Sequence, residues 1–288
     1  MYYLYDGKFG SFNEIKKILD NTINALMGNR ENISNYNTLK KYQTFNESIK
    51  SNTSLQSDIE HTRDIRKFNI SIHTSNVDRA SALKLINRGV NSLTKIIPQV
   101  SLEKCLIDEI VIFEKSKSLS YSDFQTPGVI YLNETLINNG CFIEEYIYHE
   151  LLHQKFFLIL NCISLNGIFI SAKGKVTYYC PSWHKDKKIK WSIQKMLGAA
   201  HVYIHLFYLY SKISDNDEYK EIMNSCYHRY YELMIAIDSS NLSGEGQRFY
   251  KWLSLSMPNV SQINIVYEKQ HSIPECYDYL VETMLADT

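Results

Sequence analysis

The segment HELLH, residues 149–153, constrains this chain more than any other feature. It is an H-E-x-x-H pattern inside a run whose apolar spacing predicts a helix over residues 142–160. Residues four apart lie one turn apart on the same helix face, so the imidazoles of His149 and His153 can reach one metal ion. Glu150 stands between them, close enough to act on another ligand of that metal. The segment therefore predicts a metal site carried by one helix.

The composition excludes several classes of protein. Lys and Arg together number 31, and so do Asp and Glu, which argues against a basic nucleic-acid binder and a polybasic membrane anchor. No run of about twenty apolar residues predicts a transmembrane helix, and the first residues lack the pattern of a signal peptide. The six cysteines include no C-x-x-C pair and are typical of reduced, buried thiols. We therefore expect a cytoplasmic protein that binds neither nucleic acid nor membranes.

The apolar spacing predicts an α+β fold that is mainly α-helical. Strands are expected at 106–113 and 129–132, joined through a serine-rich stretch and a turn at 126–128. Further helices are expected at residues 77–97, 190–210, 218–237, 244–255 and 275–285. The helix over 142–160 is apolar on most sides, which predicts that it is buried. A small β-sheet packed against this helix would give a zincin-like core.

A change in composition divides the chain near residue 75. Residues 28–62 are rich in Asn, Ser, Thr and Lys and poor in apolar residues, which is typical of a linker. Residues 1–75 are therefore expected to form an N-terminal helix followed by a polar linker or a peptide-docking extension. Residues 76–288 are expected to form the metal-binding catalytic domain.

The chain must supply a third metal ligand beyond the two histidines. A metzincin would continue the motif with Gly at position 156 and His at position 159, but these residues are Phe156 and Ile159. A glutamate from a later helix is a second possibility, and Glu218 and Glu221 are available there. No local pattern marks either glutamate, so the sequence does not favour them.

A second histidine pair offers a better candidate for the third ligand. His201 and His205 are again four residues apart in a predicted helix. The small residues at 198–200 beside them would let another backbone approach closely. We therefore favour His201 as the third ligand, with His205 as the alternative.

Five short segments of the chain resemble one family of proteins. The first is a serine-rich stretch that leads into Pro-Gly-Val-Ile-Tyr-Leu, and the second is the HELLH motif with its flanks. The others are the segments Tyr-Tyr-Cys-Pro-Ser-Trp-His-Lys-Asp, Leu-Gly-Ala-Ala-His-Val and Leu-Ser-Gly-Glu-Gly-Gln-Arg-Phe. In order, the five lie at residues 118–132, 148–155, 178–186, 197–202 and 242–249. Together they resemble the H-E-x-x-H peptide-modification proteins of bacterial ribosomal-peptide gene clusters, over roughly residues 80–257.

The resemblance implies an enzyme that uses Fe(II) and 2-oxoglutarate to hydroxylate a side chain of a precursor peptide, often at the β-carbon. It implies that His149 and His153 bind Fe(II), with His201 as the third ligand. The distal carboxylate of the oxoacid needs a cationic partner, and arginine suits a carboxylate best. Arg248, in the last matching segment, is the first choice for this partner, and Lys185 is the second.

One position departs from the family pattern. The family has Arg after the residue that corresponds to Trp183, whereas this chain has His184. The resemblance implies that both residues lie beside the oxoacid. If the family's arginine anchors the oxoacid, another cation must replace it in this chain.

The sequence leaves the role of Glu150 open. In a zinc-dependent metallopeptidase of the zincin type, which is the alternative to the hydroxylase, Glu150 would be the general base. An oxygenase needs no such base, and Glu150 would instead orient a metal ligand. A third possibility is a binding module whose degenerate site only holds a peptide.

Overall fold

The structure, a computed structural model, describes most of the chain between residues 69 and 256 and a short N-terminal part. The described ranges are 2–5, 7–17, 69–74, 76–114, 119–124, 126–139, 142–164, 178–184, 187–213 and 217–256. These residues are mostly helical with one small mixed sheet, so the predicted α+β class is confirmed at that level. The linker predicted at 28–62 and the last helix predicted at 275–285 lie outside the described residues. Within the described ranges, no helix has the length and apolarity needed to cross a membrane.

The chain divides into two compact units. We call residues 12–162 the sheet unit and residues 1–11 together with 163–288 the helical unit. This division is based on contacts between residues. The boundary predicted at residue 75 is based on a change in amino-acid composition. The two boundaries differ because packing joins the strands and helices on either side of position 75 in one unit.

The sheet unit contains a four-stranded sheet in the order β1-β2-β4-β3. Strands β1 (Asn69–His73), β2 (Glu109–Phe113) and β4 (Val129–Asn133) are parallel, and β3 (Ser120–Ser122) runs antiparallel to β4. Helix α1 (Arg79–Ile96) connects β1 to β2, as parallel neighbours require a crossover. The side chain of its N-cap residue accepts a hydrogen bond from the backbone N–H three positions on, which explains where the helix begins.

One face of this sheet is buried along β2, β3 and β4, while Ile72 of the edge strand β1 is partly exposed on the same face. Successive side chains in a strand point to opposite faces, so alternate residues share a face. The buried face carries Ile110, Ile112, Ser120, Ser122, Ile130 and Leu132. The sequence predicted β2 and β4 but not β1 or β3. Strand β3 has only three residues, Ser-Tyr-Ser, and therefore carries no apolar alternation that could have predicted it.

A tight turn leads into β4 and ties it to the next long helix. Gly128 has φ of +83°, and the Val129 N–H donates to the Thr126 carbonyl, as in a type II turn with Pro at its second position. The turn predicted at 126–128 is confirmed. Gln154 then accepts from the Gly128 N–H over 2.9 Å and donates to the Val129 carbonyl over 2.8 Å.

Two helices follow β4 in the sheet unit. Helix α2 (Glu134–Asn139) is short, and helix α3 (Ile143–Ser164) contains the HELLH segment. On α3, Lys155 is fully buried, and its Nζ atom lies 2.5 Å from Oε1 of the buried Glu103. Burying a charge is costly unless it is paired, so this ion pair fixes α3 against the segment that follows α1.

The helical unit contains three long helices and a two-stranded antiparallel sheet. Strands β5 (Tyr178–Tyr179) and β6 (Trp191–Ser192) pair with each other. Helices α4 (Ile193–Ile213) and α5 (Asp217–Ala236) pack together, and α6 (Gly244–Leu255) packs on α4. All three correspond to predicted helices, but α4 begins after β6 at residue 193 and ends at residue 213, whereas the prediction was 190–210.

Candidate metal-binding site

His149 and His153 lie one turn apart in α3, and both side chains are buried. Their Nε2 atoms are 3.1 Å apart, and their ring planes are inclined by 50°. Because a bond from a metal to an imidazole nitrogen is about 2.0–2.1 Å long, one ion can lie within bonding distance of both nitrogens. The pair therefore has the spacing that two ligands of a single ion require.

Burial keeps both imidazoles neutral. Removal from water disfavours the charged ring and lowers the pKa of His149 to about 4. The pKa of His153 lies well below its ordinary value, because of burial first and the nearby His149 second. A metal binds the neutral imidazole. At neutral pH both rings are therefore in the protonation state that metal binding needs.

Glu150 is fully buried, and its carboxyl group contacts strand β3. The Ser120 hydroxyl donates to Oε1 over 2.6 Å, and the Ser122 hydroxyl donates to the backbone carbonyl of Glu150 over 3.4 Å. Oε2 has no hydrogen-bond partner among the residues that the structure describes. Burial raises the pKa of Glu150 to about 7, against the opposite effect of the two serine hydroxyls. The acid is therefore held by one oxygen and titrates near neutral pH.

Helix α3 presents two neighbouring rows of polar side chains. His149 and His153 form one row, and Glu150 and Gln154 form the other, about 100° further round the helix. The second row is bonded to the sheet at two points, to β3 through Glu150 and to the start of β4 through Gln154. These bonds set the rotation of the helix about its axis and thereby fix the direction of the histidine row.

The second histidine pair lies on α4 in the helical unit. His201 and His205 are fully buried, and Nδ1 of His205 lies 2.7 Å from the His201 carbonyl oxygen, so this nitrogen carries the proton. Aromatic rings surround the pair, with Trp252 at 5.9 and 6.3 Å and Tyr5 at 5.6 Å from His205. The two rings are therefore held rigidly, and the role of His201 as third ligand stays a prediction.

Trp183 and His184 belong to an aromatic cluster of the helical unit. The Trp183 ring lies 6.1 Å from that of Tyr203, and His184 is buried with its ring 5.9 Å from that of Trp191. Arg229 of α5 is also buried, with its guanidinium carbon 5.5 Å from the centre of the Trp183 ring. The structure thus brings the two predicted residues together with an arginine that the sequence analysis did not select. Lys185 lies outside the described residues.

The other predicted charged residues lie at the surface. The Arg248 side chain is 69% exposed, and its Nη1 atom is 2.5 Å from Glu245. Glu245 also lies 2.7 Å from Lys8, so Arg248 is part of a surface ion-pair chain. Glu218 and Glu221 are exposed on α5. None of these three positions resembles the buried surroundings of His149 and His153.

Within the described part of each unit, no three His, Cys, Asp or Glu side chains are gathered in a way that could hold a metal ion. Among the described residues of the sheet unit, His149 and His153 are thus a pair without a gathered third ligand of this kind. No protein-family model matches this chain, and no curated protein matches it. The resemblance to the peptide-modification family therefore stays an expectation, and the function has to be argued from the residues.

The sequence analysis missed two residues that contact predicted site residues, one in each unit. Ser120 contacts Glu150, and Arg229 lies against Trp183. For Arg229 a signal existed, because its spacing from the apolar positions Cys226 and Leu233 places it on the buried face of α5. For Ser120 no such signal exists, since a serine in a serine-rich stretch is typical of a loop.

Proposed function

We propose that this protein is an Fe(II)- and 2-oxoglutarate-dependent hydroxylase that acts on a side chain of a ribosomally made precursor peptide. The observation that carries the proposal is the 3.1 Å separation of the two buried Nε2 atoms, His149 and His153. The five matching sequence segments supply the choice of reaction and of peptide substrate. The mixed sheet beside the motif helix supports a zincin-like core.

The donor chemistry of the pair suits a ferrous ion. Both rings are neutral, and imidazole is a common ligand of iron. The buried Nδ1 atom of His149 has no described hydrogen-bond partner. With Nε2 as the ligand, Nδ1 would carry the ring proton, and its acceptor is not among the described residues. His201 is the proposed third ligand, with His205 as the alternative.

When bound, the iron and the oxoacid supply the activation of O₂ that hydroxylation of an unactivated carbon requires. Over the whole reaction the oxoacid would lose CO₂ and become succinate, and it and the C–H bond would each give two electrons to O₂. One oxygen atom would enter the succinate carboxylate and the other the new hydroxyl group. The tasks left to the protein are to hold the ion, orient the oxoacid and peptide, and exclude water from the site.

Arg248, the first choice for the carboxylate anchor, already has an ion-pair partner at the surface. Arg248 points to solvent and is paired with Glu245, so binding the oxoacid would require it to leave that partner. Arg229 is a buried cation in contact with Trp183, a residue that the resemblance implicates. Within the helical unit, Arg229 thus lies next to Trp183, the residue before the position where the family has an arginine.

One observation favours a second function, a zinc metallopeptidase. A general base works best when its pKa lies near the operating pH, and the pKa of Glu150 is raised to about 7. Its Oε2 atom has no described partner and is thus available to take a proton from an attacking water. Under this alternative, Glu150→Gln abolishes peptide cleavage, whereas the hydroxylase does not depend on Glu150 as a base.

The decisive experiment is an anaerobic absorption measurement on the purified, metal-free protein. Fe(II), Zn(II) and 2-oxoglutarate are added singly and in pairs. A visible band that appears only with Fe(II) plus 2-oxoglutarate, and is lost in His149→Ala, is the result expected for the hydroxylase. No such band, together with zinc-dependent peptide cleavage, would replace the proposal with the peptidase. No binding of either metal would leave only a peptide-binding module.

A further inference from the structure

Strand β3 presents two buried hydroxyl groups on one face. Ser120 and Ser122 share that face, while Tyr121 between them stacks on Tyr131 of β4 on the opposite face, with the ring centres 4.2 Å apart. The antiparallel ladder pairs Ser120 with Leu132. Backbone pairing and ring stacking together fix the position of the Ser120 hydroxyl, although a three-residue strand has few contacts of its own.

This hydroxyl holds one oxygen of the motif glutamate. The Ser120 Oγ atom lies 2.6 Å from Oε1 of Glu150, and both side chains are completely buried. Rotation of a carboxyl group about its last torsion is broad, so one short hydrogen bond decides which oxygen points where. With Oε1 held by β3, Oε2 is the oxygen that remains for another partner.

We propose that Ser120 is a positioning residue of the metal site, which acts by holding Glu150 so that Oε2 faces the ligands of the ion bound by His149 and His153. The inference rests on the metal site proposed above. A simpler role, in which Ser120 only satisfies a buried acid, predicts an effect on stability but none on the ion. The two roles can therefore be separated by metal binding.

The test is a double-mutant cycle on the full-length, metal-free protein with Co(II) as the probe. Its four members are the wild type, Ser120→Ala, Glu150→Gln and the double variant. Co(II) affinity and the visible spectrum of the bound ion are measured, and thermal unfolding without metal monitors the fold. Ser120→Thr, which keeps the hydroxyl, tests rescue. Ser256→Ala removes another buried serine hydroxyl, one that donates to the Trp252 carbonyl, and is the matched control.

The expected result is that Ser120→Ala weakens Co(II) binding by roughly 10- to 100-fold, as loss of a residue that orients metal ligands usually does, and alters the spectrum. Ser120→Thr should restore both, and Ser256→Ala should change neither. In the Glu150→Gln background, Ser120→Ala should have no further effect on affinity, because glutamine can still accept the Ser120 hydroxyl but offers no carboxylate to the ligands of the ion.

Equal losses of affinity in both backgrounds would overturn the proposal, since Ser120 would then not act through Glu150. Wild-type affinity and spectrum in a folded Ser120→Ala would overturn it as well. If instead the wild type binds no Co(II), the proposed metal site is wrong, and the inference about Ser120 is wrong with it. That outcome is distinct, because it is seen before any variant is made.

Discussion

The Nε2 atoms of His149 and His153 lie 3.1 Å apart within the buried part of one helix. Both imidazoles are neutral, and no described carboxylate is hydrogen-bonded to either ring. We interpret the pair as two ligands of one metal ion and not as residues that only pack in the core. In the structure the two Nε2 atoms lie at hydrogen-bonding distance from each other, while Nδ1 of His149 has no described partner. Metal binding, pH dependence and stability each give a way to test this interpretation.

The first prediction concerns metal stoichiometry. The metal-free protein should bind one Co(II) or Fe(II) ion. His149→Ala and His153→Ala should each weaken binding by more than about 100-fold, which exceeds the usual loss when a residue that only hydrogen-bonds to a metal ligand is removed. Metal content and calorimetric titration measure this. His228→Ala, which removes an exposed histidine of α5, should bind as the wild type does. Wild-type affinity in either motif variant would show that the pair does not hold the ion.

The second prediction concerns the pH dependence of stability without metal. The pKa of His149 falls from 6.5 to about 4 on folding, so between these values the unfolded chain binds more protons, and stability is lost as pH falls. The pKa of Glu150 rises from 4.5 to about 7, so in that window the folded chain binds more protons, and stability is lost as pH rises. The two contributions oppose each other, and Glu150→Gln removes only the second.

Glu150→Gln should therefore gain stability relative to the wild type as pH rises from 4.5 to 7. A shift of about 2.5 pH units corresponds to a gain on the order of 3 kcal/mol across that range. Urea unfolding at three pH values measures it. The control is Ser256→Ala, which changes no titratable group and should differ from the wild type by a constant amount. A constant difference for Glu150→Gln would contradict the raised pKa.

The third prediction concerns the buried ion pair of α3. Lys155→Met should cost about 3–5 kcal/mol in the free energy of unfolding, because it leaves the Glu103 carboxylate buried without its cation. Replacing both residues, Lys155→Met with Glu103→Leu, should recover most of that loss. Lys220→Met breaks the exposed pair with Asp217 and should leave stability unchanged. If the double variant is no more stable than Lys155→Met, the loss of stability does not arise from the unpaired charge of Glu103.

The fourth prediction concerns a close approach between two helices. A Cβ atom at Gly89 of α1 would lie 2.5 Å from Cγ2 of Ile143 at the start of α3. Gly89→Ala should therefore destabilise the protein by about 1–3 kcal/mol, despite the better helix propensity of alanine. Gly244→Ala, where nothing lies within 4 Å of the new atom, is the matched control and should not be destabilised.

The clash predicts a specific interaction between two substitutions. Ile143→Ala removes the atom that the new methyl group would meet, so its cost should be smaller in the Gly89→Ala background than in the wild type. Chemical denaturation of the four proteins measures this coupling. If the costs of Gly89→Ala and Ile143→Ala are additive, the loss of stability in Gly89→Ala does not come from a clash with Ile143.

Local patterns in the sequence determined the helices and the histidine pair. The spacing of His149 and His153 implies a shared face as soon as the segment is helical, because helix geometry depends only on near neighbours. The same holds for the turn at Gly128 and for α6, whose bounds agree with the prediction. Such features need no knowledge of the rest of the chain.

Only the tertiary structure decided what surrounds these local elements. Ser120 reaches Glu150 across 30 positions of sequence, and Lys155 reaches Glu103 across 52. Arg248 lies in a motif segment but points to solvent. Side-chain direction and partner choice depend on how strands and helices pack, and residues far apart in sequence meet there. For this reason the sequence predicted the histidine pair but not the buried groups that contact its helix.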